Sequence, residues 1–310
     1  MFLSIMLLIS SFFVGCNTSI DVQQECYITP LMWRATSPYG QVVYIFGSIH
    51  VADNSIYPLP DFIMDAFHRS DYLAVEIDLL ALPSGEEAAR LTHLSRSMTV
   101  RQDEKTLVDD IGEELFERTL AVLQVGDEHE LDYFLGLTPA GLFMRLHEAS
   151  RSSVENAGFT GYLGVDMHFI RLARERGIEV IELESIEIQM KAFLDRSLSY
   201  YVDMIEHAIE TMEDQILMFE EVFDAWKRGC AQFFVTFSRE MPFDEISKAT
   251  RDEFVYYILI QRDICMTYKI RNFMAEEKNM FVVVGAAHLV GEGSIIDLLI
   301  QGGYDVTRVT

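Results

Sequence analysis

Met280-Phe281-Val282-Val283-Val284-Gly285-Ala286-Ala287-His288 is an apolar run that stops at a glycine and delivers a histidine three residues later. A short apolar stretch rich in valine reads as a buried strand. Glycine lets the backbone turn sharply where a Cβ would obstruct it. The same device stands near the other end, where Val42-Val43-Tyr44-Ile45-Phe46 leads into Gly47-Ser48-Ile49-His50. Two imidazoles presented alike, one from each end of the chain, imply a single site built from both halves.

Outward from these units the pattern is α/β at both ends and helical between them. Residues 41–46 form a strand, and Pro58-Leu59-Pro60 opens a helix with Phe62, Ile63, Ala66 and Phe67 on one face. Residues 72–78 alternate as a second strand, which puts Glu76 in mid-strand, where a carboxylate needs a partner. Residues of about 85–275 are mostly helical, with one strand at 178–183 and the clearest amphipathic helix at 202–227. The closing order is strand 280–284, the histidine turn, a helix over 294–301 ended by Gly302-Gly303, and a strand over 304–309. The expected fold is α/β: a central mixed sheet with a strand–GxxH–helix unit from each chain end and a large helical insertion. The repeated order also hints at an internal duplication.

Composition narrows the function. Of 310 residues half are hydrophobic, so most of the chain can bury a core. Asp and Glu outnumber Lys and Arg 49 to 24, a formal net charge of -25, which argues against nucleic acid as a partner and suits divalent cations. Residues 2–14 are almost wholly apolar but too short for an ordinary membrane span, and they run into Val14-Gly15-Cys16. That junction resembles a bacterial lipoprotein processing site. The resemblance implies cleavage before Cys16, lipidation of Cys16, export, and anchoring to a membrane in the periplasm or at the cell surface. Residues 17–30 read as a polar tether, and 31–310 as the folded domain. Cys26, Cys230 and Cys265 leave an odd count with no C-x-x-C spacing, so one disulfide or three buried thiols both stay open.

Neutral imidazoles and a carboxylate are the donors of many catalytic metal sites. His50, His288 and Glu76 are therefore the candidate ligands, all at or beside strands that can end on one sheet edge. No H-E-x-x-H, G-x-S-x-G, Walker A or Rossmann glycine pattern occurs. The other reading of each histidine is a satisfied turn residue.

Several blocks together resemble the TraB/GumN family. They are Phe46-Gly47-Ser48-Ile49-His50-Val51-Ala52-Asp53, Tyr57-Pro58-Leu59-Pro60 and Val75-Glu76-Ile77-Asp78. Further along come Gly164-Val165-Asp166, Leu183-Glu184-Ser185 with Glu187 and Gln189, Ala225-Trp226-Lys227-Arg228-Gly229, Gln261-Arg262-Asp263, and Val284 through Gly291 with Gly302-Gly303-Tyr304. Cys230 and Asp263 stand where the family usually has an acid and an asparagine. The family sits in a wider group with the erythromycin-esterase-like and ChaN-like proteins, and its animal members, the Tiki proteins, are metal-dependent peptidases. The resemblance implies a metal-dependent hydrolase of peptides or proteins. His50 and His288 would bind manganese or cobalt, with zinc or iron equally allowed by ligand count, and Glu76 would serve as third ligand or as base. Arg262 would stabilise a developing oxyanion. Asp166, Glu184 and Gln189 are either partners that orient a ligand histidine by accepting its second N–H or buried polar contacts. A protein that holds a peptide, metal or haem without turnover is the alternative.

Overall fold

In a computed structural model the described residues are 30–243 and 246–309. The expected signal segment, Cys16 and the tether up to residue 29 lie outside them. Six strands make one sheet in the order β4-β3-β5-β2-β1-β6. In chain order they are β1 (Met32–Thr36), β2 (Val42–Ser48), β3 (Tyr72–Val75), β4 (Glu179–Glu182), β5 (Met280–Gly285) and β6 (Asp305–Arg308). β2, β5, β3 and β4 run parallel, whereas β1 is antiparallel to both β2 and β6. The sheet is thus mixed, as expected. Every residue of β5 is buried, which suits its central place and its valine run.

The helices are α1 (Asp61–His68), α2 (Gly85–Thr99), α3 (Val108–Ile111), α4 (Glu113–Val122), α5 (Glu128–Leu135), α6 (Pro139–Asn156) and α7 (Val165–Arg176). After β4 follow α8 (Ile186–Leu194), α9 (Leu198–Glu210), α10 (Gln215–Lys227), α11 (Ala231–Val235), α12 (Lys248–Phe254) and α13 (Gln261–Ala275), then α14 (Ile295–Gln301) between β5 and β6. A π-helical turn, Val255–Ile260, joins α12 to α13, and another, Thr236–Glu240, extends α11. Phe46 and Phe281 from the sheet meet Phe67 of α1 and Phe169 of α7, with ring centroids 4.9 to 6.0 Å apart. Edge-to-face packing of this kind adds to the area these rings bury.

Four departures from the sequence reading matter. β1 was not expected; it is a short edge-side strand bracketed by β2 and β6. β3 ends at Val75, so Glu76 lies just past the strand rather than within it. The helix expected over 202–227 is two helices, broken at Thr211, whose hydroxyl donates to the His207 carbonyl at 2.7 Å. Such back-bonding competes with the helical ladder. Nor do the two GxxH units repeat one topology: β3 pairs with β5, whereas β6 pairs with β1 across the sheet.

The parallel strands all point their C-terminal ends to one edge, where open α/β sheets bind ligands. Gly164, at the start of α7, packs against the first histidine turn: a Cβ there would lie 2.2 Å from the His50 carbonyl oxygen. Gly164→Ala is therefore expected to cost about 2–3 kcal/mol or more in urea unfolding. Gly126→Ala, with no atom near the added methyl, should leave the unfolding midpoint within error or raise it.

Candidate functional site

Each parallel strand delivers part of the site at or just past its last residue. β2 leads to His50, β3 to Glu76, β4 to Glu184, and β5 to Gly285 and His288. Register sets the meeting: Ser48 of β2 lies opposite Gly285 of β5, so the two histidine turns start side by side. Gly285 stands in the middle. A Cβ at that position would come 3.3 Å from Glu76 Oε1, 3.4 Å from His50 Nε2 and 3.5 Å from His288 Cδ2. The indole N–H of Trp226 donates to the Gly47 carbonyl at 2.9 Å, tying α10 to the first turn.

Both histidines are buried and similarly held. His50 Nδ1 bonds Asp166 Oδ1 at 2.9 Å, and His288 Nδ1 bonds Asp263 Oδ1 at 2.6 Å. A carboxylate accepts only, so each Nδ1 carries the proton and each Nε2 is turned the other way. Neither Nε2 has a hydrogen-bond partner among the described residues. Glu76 Oε1 lies 3.9 Å from Nε2 of His50 and 4.0 Å from Nε2 of His288.

Glu76 is fixed on every side. Its Oε1 accepts the Gly285 N–H at 2.7 Å, and its Oε2 accepts from Arg262 Nη2 at 2.7 Å and from the Gln189 amide at 3.1 Å. Arg262, 2% exposed, also donates from Nε to Glu184 at 2.9 Å and from Nη1 to the Ile258 carbonyl at 3.2 Å. Gln189 gives its NH2 to both Glu76 and Glu184, which leaves its oxygen without a partner among the described residues. A cavity of about 20 Å³, room for roughly one water, is lined by His50, Glu76, Asp166 and Gln189 with Val75, Ile77, Leu79 and Val283.

The sequence-predicted residues are thus brought together, with altered parts for two. Glu184 touches neither histidine; it pairs with Arg262 and Gln189. Arg262 has its guanidinium engaged by carboxylates and a carbonyl, so it holds Glu76 rather than facing a substrate carbonyl. Asp263 and Arg239 were missed as site residues. Asp263 had been noted only as a departure beside Arg262, and Arg239 carries no motif. Arg239 Nη2 donates to Asp263 Oδ2 at 2.8 Å. Arg239 lies in the π-helical turn Thr236–Glu240, and Asp263 lies in the first turn of α13, just after the other one; such turns often mark functional positions but have no sequence signature.

Two aligned imidazole nitrogens suit a divalent transition metal, and the carboxylates behind them are the usual orienting partners. The match is incomplete. Among the described residues no group of three or more His, Cys, Asp or Glu is arranged to hold a metal ion. The 3.9 and 4.0 Å separations exceed the roughly 3.4 Å between ligands of a tetrahedral zinc. The donor chemistry fits, and each histidine–Glu76 separation would have to shorten by about half an ångström to reach tetrahedral spacing.

Burial opposes a charge on His50, but Asp166, through charge and hydrogen bond, and Glu76, through charge, outweigh it and raise the pKa to about 9. Burial opposes charge on Glu76 too; the charges of His288, Arg262 and His50 and the Gly285 N–H outweigh it and lower the pKa to about 2. A raised folded pKa stabilises fully below the unfolded value of 6.5 and is lost as pH rises through about 9. A depressed one stabilises above 4.5 and is lost as pH falls through about 2. With chelator present, unfolding stability should therefore be greatest near pH 4.5–6.5, falling by about 3 kcal/mol on the alkaline side. Asp166→Asn should remove most of that alkaline loss, since burial alone then keeps His50 neutral.

No helix among the described residues is long and apolar enough to cross a membrane. No curated protein and no solved structure matches the chain. The family model described as TraB/PrgY/gumN matches residues 31–308, nearly the whole chain, and the protein belongs to the TraB/PrgY/gumN family.

Proposed function

We propose that this protein is a hydrolase that holds a divalent cation on His50 and His288 and cleaves peptide or related amide bonds. The observation that carries the proposal is the pair of buried Nε2 atoms, each without a partner among the described residues and each backed by an aspartate on Nδ1. Such a cation supplies Lewis acidity toward a carbonyl and makes hydroxide available near neutral pH. Manganese, cobalt and zinc all accept these donors.

The chain's own residues divide the work. Asp166 and Asp263 fix the ring orientation and tautomer of the two ligands. Arg262 and Gln189 occupy Oε2 of Glu76 and turn Oε1 toward both imidazoles. A carboxyl held near a pKa of about 2 is a weak proton acceptor at neutral pH, which favours Glu76 as third ligand over general base. Arg262 acts on Glu76 and Glu184, not on the substrate. Export and attachment through a lipid on Cys16 complete the proposal; they rest on Val14-Gly15-Cys16, outside the described residues.

The small cavity favours a second reading, a protein that binds a cation or peptide end without turnover. A space of about 20 Å³ has room for roughly one water beside His50 and Glu76. The detergent-solubilised full chain, stripped and reloaded with manganese, cobalt or zinc, separates the two when incubated with a peptide library and analysed by mass spectrometry. Cleavage that follows the metal and disappears in both His50→Ala and His288→Ala supports the hydrolase. Metal uptake without cleavage under any ion supports the binder. In either reading His50 must give up a proton to the ion, so affinity measured by dye competition should rise with pH, by up to about tenfold per unit, and level off near pH 9.

A further inference from the structure

The two histidines differ in what stands behind them. Asp166 faces the cavity together with His50 and makes no ion pair with Lys or Arg among the described residues. Asp263 is fully buried and is held from behind by Arg239. Arg239 spans three directions. Its Nε donates to the Val290 carbonyl at 2.6 Å, its Nη1 to the Glu292 carbonyl at 2.8 Å, and its Nη2 to Asp263 Oδ2 at 2.8 Å. Gly291 passes so close that a Cβ there would sit 2.5 Å from Arg239 Cδ. The guanidinium therefore joins the loop just after His288 to the carboxylate that holds His288. A planar fork suits this task; an ammonium on a flexible stem does not.

We propose that Arg239 is a positioning residue that makes His288 the fixed member of the cation-binding pair, leaving His50 as the member that opens to the cavity. The inference rests on the cation reading above. Arg239 satisfies Asp263 Oδ2, which leaves Oδ1 to accept the Nδ1 proton and aims Nε2 at Glu76. Without Arg239, Asp263 keeps a charge in a fully buried place with no counter-charge behind it, a costly arrangement that a carboxylate relieves by turning or admitting water. Either response unpins the imidazole. Asp166, at the cavity wall, has no such dependence.

The test uses the full chain in detergent with zinc as the probe, and records the imidazole N–H resonance of His288 in the zinc-free protein. Arg239→Gln is expected to weaken zinc about 10–100-fold, in the range seen when partners of ligand histidines are removed, and to erase the slowly exchanging Nδ1–H signal. Asp263→Asn added to Arg239→Gln removes the stranded charge and should recover about tenfold or more of that loss. Arg239→Lys should fall between Arg239→Gln and wild type. A brace that merely stabilises the fold would lower the melting temperature yet leave zinc affinity and the N–H signal as in wild type, and the double variant would be no better than the single; that result overturns the proposal. Should wild type bind no zinc, the cation reading fails, and the N–H signal alone decides on Arg239: loss in Arg239→Gln with return in the double variant supports positioning, persistence overturns it. If Arg239→Gln does not fold, Arg239→Lys and the double variant carry the same comparison.

Discussion

Burying charge is the constraint from which the rest of this molecule follows. Glu76, Asp166, Glu184 and Asp263 are all below one-tenth exposed, and only Arg262 and Arg239 pair with them among the described lysines and arginines. Four carboxylates against two guanidiniums leave two negative charges in a region of low polarizability. Desolvated charge left without compensation is among the costliest features a fold can carry. The proton on His50 offsets one of the two; a dication would carry the whole excess. The excess favours positive charge at this place, and the geometry of the strand ends sets where such a charge would sit.

That geometry comes from the sheet rather than from any single loop. Parallel strands bring their ends to one side, and each strand needs only one polar residue past its last ladder position to contribute. Distance along the chain is then irrelevant: Glu76 and Arg262 meet because β3 lies beside β5 and α13 runs into β5. The helical segment between β4 and β5 supplies the arginines, and Trp226 fastens it to the Gly47 carbonyl.

The apolar strands with their glycine stops were legible from the residues, because valine-rich runs and glycine turns carry direct physical meaning. Both histidines and Glu76 followed from them. Arg262, Asp166 and Glu184 entered through the wider resemblance and not through spacing. The end of the strand that carries Glu76 was placed three residues too far: alternation over 72–78 continues past the point where the ladder stops at Val75, and periodicity does not register a hydrogen bond's end. Arg239 and Asp263 were illegible for a different reason. Their partnership joins a π-helical turn to the start of α13, 24 residues on, and rests on backbone carbonyls of residues 290 and 292 that any residue supplies.

The segment from α2 to α5 contributes nothing to the cavity wall or to the charge network; the lining residues come from elsewhere in the chain. It packs on the rest through α6, α8 and α9, as a roof rests on posts. Such an arrangement separates two histories. Drift, lengthening or wholesale replacement of that roof can proceed without displacing the ionic network beneath it.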